Sequence, residues 1–316
     1  MKKLLAILLA VVLAGCGRQS EEPVIRVGLC LPAADMPYCQ EIRRELEQNM
    51  CYVNLLNGRQ DQSLQNRQVA WLVQEGYDLL IIEPVIRSAA DSLLEGLEAA
   101  GIPAILLNTR SQPARACEKI CRVGFSEEQA GRLQAQCILD TPDRGDLNDD
   151  GQVACAILSG PEDLVDTAVH SRACMAALKD AGIQVQLLAQ VYGDNSPARG
   201  QALTEGLLDR FGENIEVLFC DHSQLAQGAL TALENIGRAV NEDIYVVSMG
   251  GDGDIDQHIA HNTITGAVIA DYDAMAAQVT QAAEMLLSGH SLPEIRAPYA
   301  LKQAQNIRGK KSSPRG

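Results

Sequence analysis

Short apolar runs alternate with amphipathic segments along most of the chain, and this alternation limits the fold more than any other feature. In the first series the predicted strands are 24–31, 53–56, 79–83 and 104–107. The predicted helices between them are 38–49, 62–74 and 89–99. Short runs that are almost wholly apolar indicate strands buried on both faces. The first series therefore predicts a parallel sheet with helices on both of its faces.

The same pattern repeats in the second half of the chain. Its predicted helices are 126–139, 163–180, 197–210, 224–236 and 275–287. Its predicted strands are 152–158, 185–190, 217–220, 244–248 and 264–270. Two series of similar size predict an α/β protein with two similar, doubly wound parallel-sheet lobes. Ligand contacts in such sheets lie at the carboxyl ends of the strands, so we expect a small molecule to bind in a cleft between the two lobes.

Composition excludes several classes of protein. The chain has 316 residues, of which 47% are hydrophobic and 21% charged, so it has enough apolar surface for a sizeable core and is not disordered. The formal net charge of -15 would repel a polyanion over most of the surface. We therefore expect no nucleic-acid partner, and we expect a monomer.

The N-terminus reads MKKLLAILLAVVLAGC, with Lys2 and Lys3 ahead of an apolar stretch too short to span a bilayer comfortably. Its end, LAGC, resembles the lipobox of bacterial lipoproteins, in which the chain is cleaved before the cysteine and that cysteine is lipidated. The resemblance implies a signal peptide at 1–15, lipid on Cys16 and a polar tether at 16–23. It also implies an extracytoplasmic protein held to the bacterial membrane. An ordinary secretory signal, with Cys16 incidental, is the alternative.

Ten cysteines are present, nine of them after Cys16. No CxxC pair occurs, and no cysteine–histidine spacing suits zinc. Most of the nine lie in apolar runs, which predicts buried free thiols. Cys117 and Cys121 flank a loop and are the pair that a disulfide would most readily join.

Three sequence features lead to a family. They are the segment NGRQDQSLQNRQ at 57–68, Asn108 at the end of a predicted strand, and DLNDDGQ at 146–152. Together with the order of elements from Arg26 to Tyr299, they resemble the type I periplasmic binding proteins. Within that family they are most similar to the galactose/glucose-binding proteins of ABC transport and chemotaxis.

The resemblance implies that the chain crosses between the lobes three times, near 122–126, 270–272 and 297–301. The N-terminal lobe would then comprise 24–123 with 272–296. The C-terminal lobe would comprise 124–271 with 297–305, followed by a loose tail at 306–316.

The segment DLNDDGQ places side-chain oxygens at alternate positions, in Asp146, Asn148 and Asp150. Gly151 permits a sharp turn, and Gln152 presents a backbone carbonyl. This spacing is typical of the first half of a calcium loop of the EF-hand type, since calcium prefers six to eight oxygen ligands. A turn of Asp, Asn and Gly without an ion is the alternative.

An EF-hand would also need Glu at its twelfth position, and that position is Ile157. The resemblance implies that the missing ligand is Glu216, from a distant part of the chain, and that the calcium is structural. The sequence departs from the family at Ala154, where the family carries a Gln ligand, and water would take that place.

The resemblance also implies a set of ligand-binding residues. Tyr38, Asn108 and Asp166 keep the residue type of sugar-contacting positions. At other positions the family's side chain is replaced, or a suitable one lies within two residues. The candidates of this second group are Asp35, His170, Tyr192, His222, Asp252 and Asp271. So many changes imply a small polar ligand of the sugar type without specifying the hexose.

No GxSxG, P-loop, HExxH or SxxK motif occurs, so we expect a binding protein and no enzyme. Hydrolysis of a glycoside by two carboxylates is the enzymatic alternative. The expected function is capture of the ligand by hinge closure and delivery to an ABC permease. The alternative is a sensory protein that presents its ligand to a chemoreceptor or a sensor-kinase ectodomain.

Overall fold

The computed structural model of the chain describes residues 24–36, 38–49, 51–109, 118–161, 165–250 and 255–304. The side chains of 51, 87 and 165–167 are not described. The predicted signal peptide, Cys16, the tether, Asp252 and the tail therefore lie outside the described residues. Of Asp166 only the backbone is described.

The first group of elements follows the predicted alternation closely. It consists of β1 (Ile25–Leu31), α1 (Cys39–Gln48), β2 (Cys51–Asn57), α2 (Gln62–Gln74), β3 (Leu79–Ile82), α3 (Ala90–Ala100), β4 (Ala104–Leu107) and β5 (Ile120–Phe125). A short 3-10 helix, Arg87–Ala89, precedes α3.

The second group continues the pattern to the end of the described chain. It consists of α4 (Glu127–Leu139), β6 (Val153–Ser159), α5 (Val165–Asp180), β7 (Val185–Tyr192), α6 (Pro197–Phe211), β8 (Val217–Cys220), α7 (Ser223–Asn235), β9 (Tyr245–Met249), α8 (Ile255–Ala260), β10 (Gly266–Ala270), α9 (Tyr272–Leu287), β11 (Ile295–Ala297) and β12 (Tyr299–Gln303). A 3-10 turn, Gly212–Asn214, follows α6.

The strands form two six-stranded sheets, in the orders β11-β5-β4-β3-β1-β2 and β12-β10-β9-β8-β6-β7. In the second sheet β6 pairs in parallel with both β7 and β8. Only the edge strand β12 runs antiparallel to its neighbour among the pairings described. The two sheets share one topology, as the two series in the sequence predicted.

Contacts along the backbone divide the chain into two compact units. Among the described residues, one unit contains those of 24–106, 118–120 and 280–292, and the other contains the remainder. The lobe limits and the three crossovers derived from the resemblance stay predictions. No helix of the described residues is both long and apolar enough to cross a membrane.

Local sequence explains where the helices begin. The side chain of Asp61 accepts hydrogen bonds from the backbone N–H groups of Ser63 and Leu64, and Ser126 caps α4 in the same way. Ser196 caps α6, where Pro197 supplies the first residue. These caps satisfy N–H groups that have no partner within the helix. They place each helix start just after the end of a strand.

Three strands and one helix were not predicted: β5, β11, β12 and α8. The sequence of β5, ICRVGF, carries Arg122 in its middle, and β12 reads YALKQ, which alternates apolar and polar residues. The segments around β5 and β12 were interpreted only as crossovers. The strand conformation of β5 depends on pairing with β4 and β11, and that of β12 on pairing with β10. Local composition cannot predict such pairing.

The seven cysteines whose side chains are described are all buried and all free, as predicted. Burial raises the pKa of the Cys30 thiol to about 12, so it stays protonated and unreactive. Cys121 also carries a free thiol, and its Sγ lies 3.4 Å from the carbonyl oxygen of Pro293. Cys121 therefore forms no disulfide, and Cys117, the partner considered for it, lies outside the described residues.

Candidate ligand site and acidic loop

The candidate ligand residues that the structure describes cluster at strand ends. Asp35 and Tyr38 follow β1, and Asn108 follows β4. Three more, Tyr192, His222 and Asp271, lie at the ends of β7, β8 and β10. His170 lies within α5 instead. Carboxyl ends of parallel strands are where ligands contact such sheets, so six of the candidates occupy the expected edge of their sheets.

Asn108 holds a backbone conformation that few side chains adopt. Its φ is 49°, in the left-handed region, and its N–H donates to the carbonyl of Val123 at 3.0 Å. A Cβ on the neighbouring Gly124 would lie 3.4 Å from the Cα of Asn108. Asn tolerates this conformation better than most residues, which explains why an amide side chain occupies this strand end.

The segment NGRQDQSLQNRQ holds the loop that follows β3. Gln65 is fully buried; its Nε2 donates to the carbonyl of Glu83 at 2.7 Å, and its Oε1 accepts from the N–H of Val85 at 3.1 Å. Gln62 accepts from the N–H of Ile86 at 2.8 Å. The segment therefore orders a loop at the carboxyl edge of the first sheet.

His170 lies in the interior, between two carboxylates. It is 5% exposed; its Nδ1 lies 3.3 Å from Oε2 of Glu127, and its Nε2 lies 2.9 Å from Oδ1 of Asp221. Burial alone would lower the pKa of His170, but the hydrogen bonds and charges of Asp221 and Glu127 outweigh burial and raise it to about 9. The imidazole is therefore doubly protonated at neutral pH.

Asp221 connects His170 to the strand ends. Its Oδ2 accepts hydrogen bonds from the hydroxyls of Ser159, at 2.6 Å, and Ser171, at 3.3 Å. Gln190 donates to the Ser159 hydroxyl at 2.8 Å. We call Glu127, Ser159, His170, Ser171 and Asp221 the buried polar network. The imidazolium balances part of the negative charge of the network, and this offsets part of the free-energy cost of burying a carboxylate.

Sequence reasoning selected only His170 from the buried polar network. It named His222 and overlooked Asp221, one residue earlier. The available signal was a polar residue directly after the buried run VLFC, since such residues lie at the carboxyl edge. Glu127 carried no local signal, because its partner lies in another helix.

The other strand-end candidates also serve as structural anchors. His222 caps α7: its Nδ1 accepts from the N–H of Gln224 at 3.2 Å, which assigns the ring proton to Nε2. Asp271 caps α9 by accepting from the N–H of Ala274 at 2.9 Å. The carbonyl of Tyr192 accepts from Arg199 at 3.2 Å. Asp35 is exposed and Tyr38 is buried. The ligand contacts of all these residues stay predictions.

The acidic loop, residues 146–152, folds around its own backbone N–H groups. Oδ1 of Asp146 accepts from the N–H of Asp150 at 3.1 Å, and Oδ2 accepts from that of Gly151 at 2.9 Å. Asn148 accepts from the N–H of Asp150, and Asp150 from that of Gln152. Gly151 has a φ of 88°, which the turn requires and which glycine adopts without strain.

Glu216 reaches the acidic loop from just before β8. Its Oε1 accepts from the N–H of Asn148 at 3.0 Å, and its Oε2 from that of Ala154 at 2.8 Å. Burial raises the pKa of Glu216; the hydrogen bonds from Ala154 and Asn148 act against this rise, and the nearby charges of Asp146 and Asp150 add to it. The distant Glu thus lies beside the loop, where the resemblance placed it.

The donor atoms have the chemistry of a calcium site, because all of them are oxygens and the negative charges of Asp146 and Asp150 act on Glu216. The positions of these side chains, however, are not those of a metal site. Within the described parts of the chain, no group of three or more His, Cys, Asp or Glu side chains is placed so that it could hold a metal ion. Calcium binding therefore stays a prediction.

Two mainly parallel sheets, with polar side chains at the carboxyl ends of their strands, define a class of two-lobed binding proteins. Residues 27–291 match the family described as Periplasmic binding protein domain. The chain belongs to this family.

Two curated relatives align with this chain over most of the length of both proteins. The ribose import binding protein RbsB of Bacillus subtilis is 23% identical over 87% of this chain and 86% of the relative. The D-galactose/methyl-galactoside binding periplasmic protein MglB of Haemophilus influenzae is 25% identical over 89% of this chain and 90% of the relative.

A crystal structure described as a periplasmic ribose ABC transporter from Conexibacter woesei has the same fold. It aligns with a TM-score of 0.76 and 19% identity, over 90% of this chain and 93% of that one. The fold class predicted from the sequence is thereby confirmed.

Proposed function

We propose that the protein is an extracytoplasmic solute-binding protein that captures a monosaccharide and delivers it to an ABC permease. The observation that carries the proposal is the buried polar network at the ends of β6 and β8. His170 and the Asp221 carboxylate hold the ends of β6 and β8 in one arrangement, so the polar residues that follow these strands are preorganised for a ligand rich in hydroxyl groups. The family and the names of its relatives support the same class of ligand.

The mechanism is equilibrium capture. If the ligand contacts both lobes only when they close, its binding energy shifts the population toward the closed form. A permease then distinguishes the closed surface from the open one. We infer no catalytic step, because the relatives RbsB and MglB are named as binding proteins.

Thermal unfolding tests the proposal directly. The mature domain is heated with D-ribose, D-galactose and other monosaccharides, each in turn. A ligand at about 100 times its dissociation constant adds about 2.7 kcal/mol to the free energy of unfolding, and the melting temperature should rise by several degrees. If no monosaccharide in the panel raises it, the proposed ligand class is wrong.

Asn108 offers a variant that separates binding from folding. Asn108→Gly keeps the left-handed backbone but removes the amide, so it should weaken the best ligand at least about tenfold, measured from the ligand-induced rise in melting temperature of that variant. Asn262→Gly is the matched control, because Asn262 has a similar φ of 62° and precedes β10 instead of following a strand. Equal losses in both variants would exclude a role for Asn108 in binding.

We also propose that the acidic loop binds a structural calcium ion through Asp146, Asn148, Asp150, the carbonyl of Gln152, and Glu216. The approach of Glu216 to the loop supports this. Calcium should raise the melting temperature and a chelator should lower it, and Glu216→Gln should abolish the difference. Asp209→Asn, on an exposed part of α6, is the control. A calcium effect that survives Glu216→Gln would contradict the proposed ligand set.

A further inference from the structure

Direct contacts run from the strand ends through the buried polar network to β12. The Ser159 hydroxyl donates to Asp221 at 2.6 Å, and Asp221 lies 2.9 Å from Nε2 of His170. Nδ1 of His170 lies 3.3 Å from Glu127. On its other oxygen, Glu127 accepts from the Tyr299 hydroxyl at 3.4 Å. These residues come from β6, α5, α4, β12 and, for Asp221, the position directly after β8. We call this series of contacts the line; it joins elements that are distant in sequence.

Beyond Tyr299 the line continues through aromatic rings. The ring of Tyr299 lies 5.0 Å from that of Phe125, and Phe125 meets Tyr272 edge-on at 5.9 Å. Phe125, Tyr272 and Tyr299 fall one each in the three segments predicted to cross between the lobes. The line therefore connects a strand end with all three predicted crossovers.

The middle of this line has little freedom to move. The side chains of His170 and Asp221 are 6% and 2% exposed, so their attraction is only weakly screened by water. Behind His170, α4 and α5 cross closely: a Cβ on Gly131 would lie 2.1 Å from the His170 carbonyl oxygen. Because α5 cannot move closer to α4, a displacement of the Asp221 carboxylate toward His170 would be taken up by Glu127 or by loss of an ion pair.

We propose that His170 and Glu127 are positioning residues, which couple the arrangement of Ser159 and Asp221 at the strand ends to the aromatic residues of the predicted crossovers. The purpose of the coupling rests on the proposed function, since ligand bound at the strand ends would then favour one arrangement of the crossovers. The coupling itself requires no ligand.

Backbone hydrogen exchange of the mature domain, without ligand, tests the coupling. Ser159→Ala removes one hydroxyl at the strand end and should speed exchange of the amides of β5 and β12 by about threefold or more. Thr204→Val is the matched control: Thr204 is 1% exposed, and its hydroxyl donates to the Gly200 carbonyl at 2.8 Å, away from the line. At equal global stability, Thr204→Val should leave those amides unchanged.

A second variant removes the hydrogen bond between Tyr299 of β12 and Glu127. Tyr299→Phe keeps the ring and its packing on Phe125 but removes the hydroxyl that Glu127 accepts. In this background Ser159→Ala should no longer alter exchange in β12, so the two substitutions are expected to be non-additive. Glu127→Gln, which keeps the shape and an acceptor oxygen, should retain part of the coupling.

Two results would overturn the proposal. One is an effect of Ser159→Ala on β12 that persists in full beside Tyr299→Phe. The other is an effect equal to that of Thr204→Val. Neither result depends on a sugar. Failure of every monosaccharide to bind would therefore refute the proposed function and leave this measurement interpretable.

Discussion

At the scale of single residues, His170 shows how a cation can be used inside a protein without facing solvent. Its imidazole presents two ring nitrogens on different edges of the ring. Each meets a carboxylate from a different element, Glu127 from α4 and Asp221 from the end of β8. A residue proposed as a ligand contact is thus placed to hold other residues.

The same geometry makes stability depend on pH in a defined direction. The pKa of His170 rises from an ordinary 6.5 to about 9 on folding, which corresponds to about 3 kcal/mol of stability. This contribution is complete below about pH 6.5, where the unfolded chain is also protonated, and is lost as pH rises through about 9. The melting temperature of wild type should therefore exceed that of His170→Gln most near pH 6, and the difference should shrink toward pH 9.5.

His290 provides the comparison for this prediction, because it is exposed and lies just beyond the end of α9. The effect of His290→Gln on the melting temperature, measured at the same pH values, gives the baseline for a histidine-to-glutamine exchange at the surface. A stability difference for His170→Gln that stays constant or grows with increasing pH would mean that the histidine is neutral in the folded protein.

At the scale of elements, glycines set how closely neighbouring helices cross. Gly228 in α7 faces the start of α6, and a Cβ there would lie 2.0 Å from the Pro197 carbonyl oxygen. The close approach brings α6 and α7 together over the second sheet, where Leu207 and Leu225 share one buried cluster. The length and position of these helices follow from sequence, but their separation depends on this missing methyl group.

Substitution by alanine should have opposite effects at two glycines of this helix pair. Gly228→Ala should destabilise the protein by about 3 kcal/mol, since backbone atoms on both sides must move. Gly206→Ala should stabilise it by about 0.5–1 kcal/mol, because a Cβ at Gly206 meets no atom within 4 Å and alanine favours the helix. Urea unfolding measures the change in the free energy of unfolding for both variants. A mild effect of Gly228→Ala would show that the two helices can move apart at little cost in free energy.

At the scale of the whole molecule, the chain repeats one sheet topology. The orders β5-β4-β3-β1-β2 and β10-β9-β8-β6-β7 correspond strand for strand, and each sheet adds one late strand at the same edge. Repetition gives each sheet a carboxyl edge with polar residues. The two added strands, β11 and β12, come from the last part of the described chain.

Attachment to the membrane is a prediction about the whole chain. With lipid on Cys16, the full-length protein should partition into the detergent phase in a phase-separation assay, because each buried CH2 contributes about 0.8 kcal/mol. Cys16→Ser should move it to the aqueous phase, with the melting temperature of the folded domain unchanged. Equal partitioning of both forms would identify the N-terminus as an ordinary secretory signal.

Prediction from sequence succeeded where structure is local. The strand 104–107 was predicted with the bounds observed, and 62–74 was predicted as the helix that the structure contains. Prediction from sequence failed for β5 and β12, because their conformation depends on pairing with strands that are distant in sequence. Among the candidate site residues, Asn108 was proposed from the resemblance and from its place directly after an apolar run, which is a local signal; its ligand contact stays a prediction. Glu127 and Asp221 were missed because their importance comes from His170.

The sequence by itself determined the alternation of strands and helices, the caps that start the helices, the polar residues at strand ends, and the oxygen spacing of the acidic loop. Each depends on residues within a few positions of one another. Only the tertiary structure decided that His170 would meet Glu127, 43 residues away, and that Glu216 would meet Asn148, 68 residues away. The meeting of Glu216 with Asn148 follows from the strand order that places β8 beside β6, and the meeting of His170 with Glu127 follows from the packing of α5 against α4. Strand order and helix packing are properties of the whole folded chain and not of a local segment.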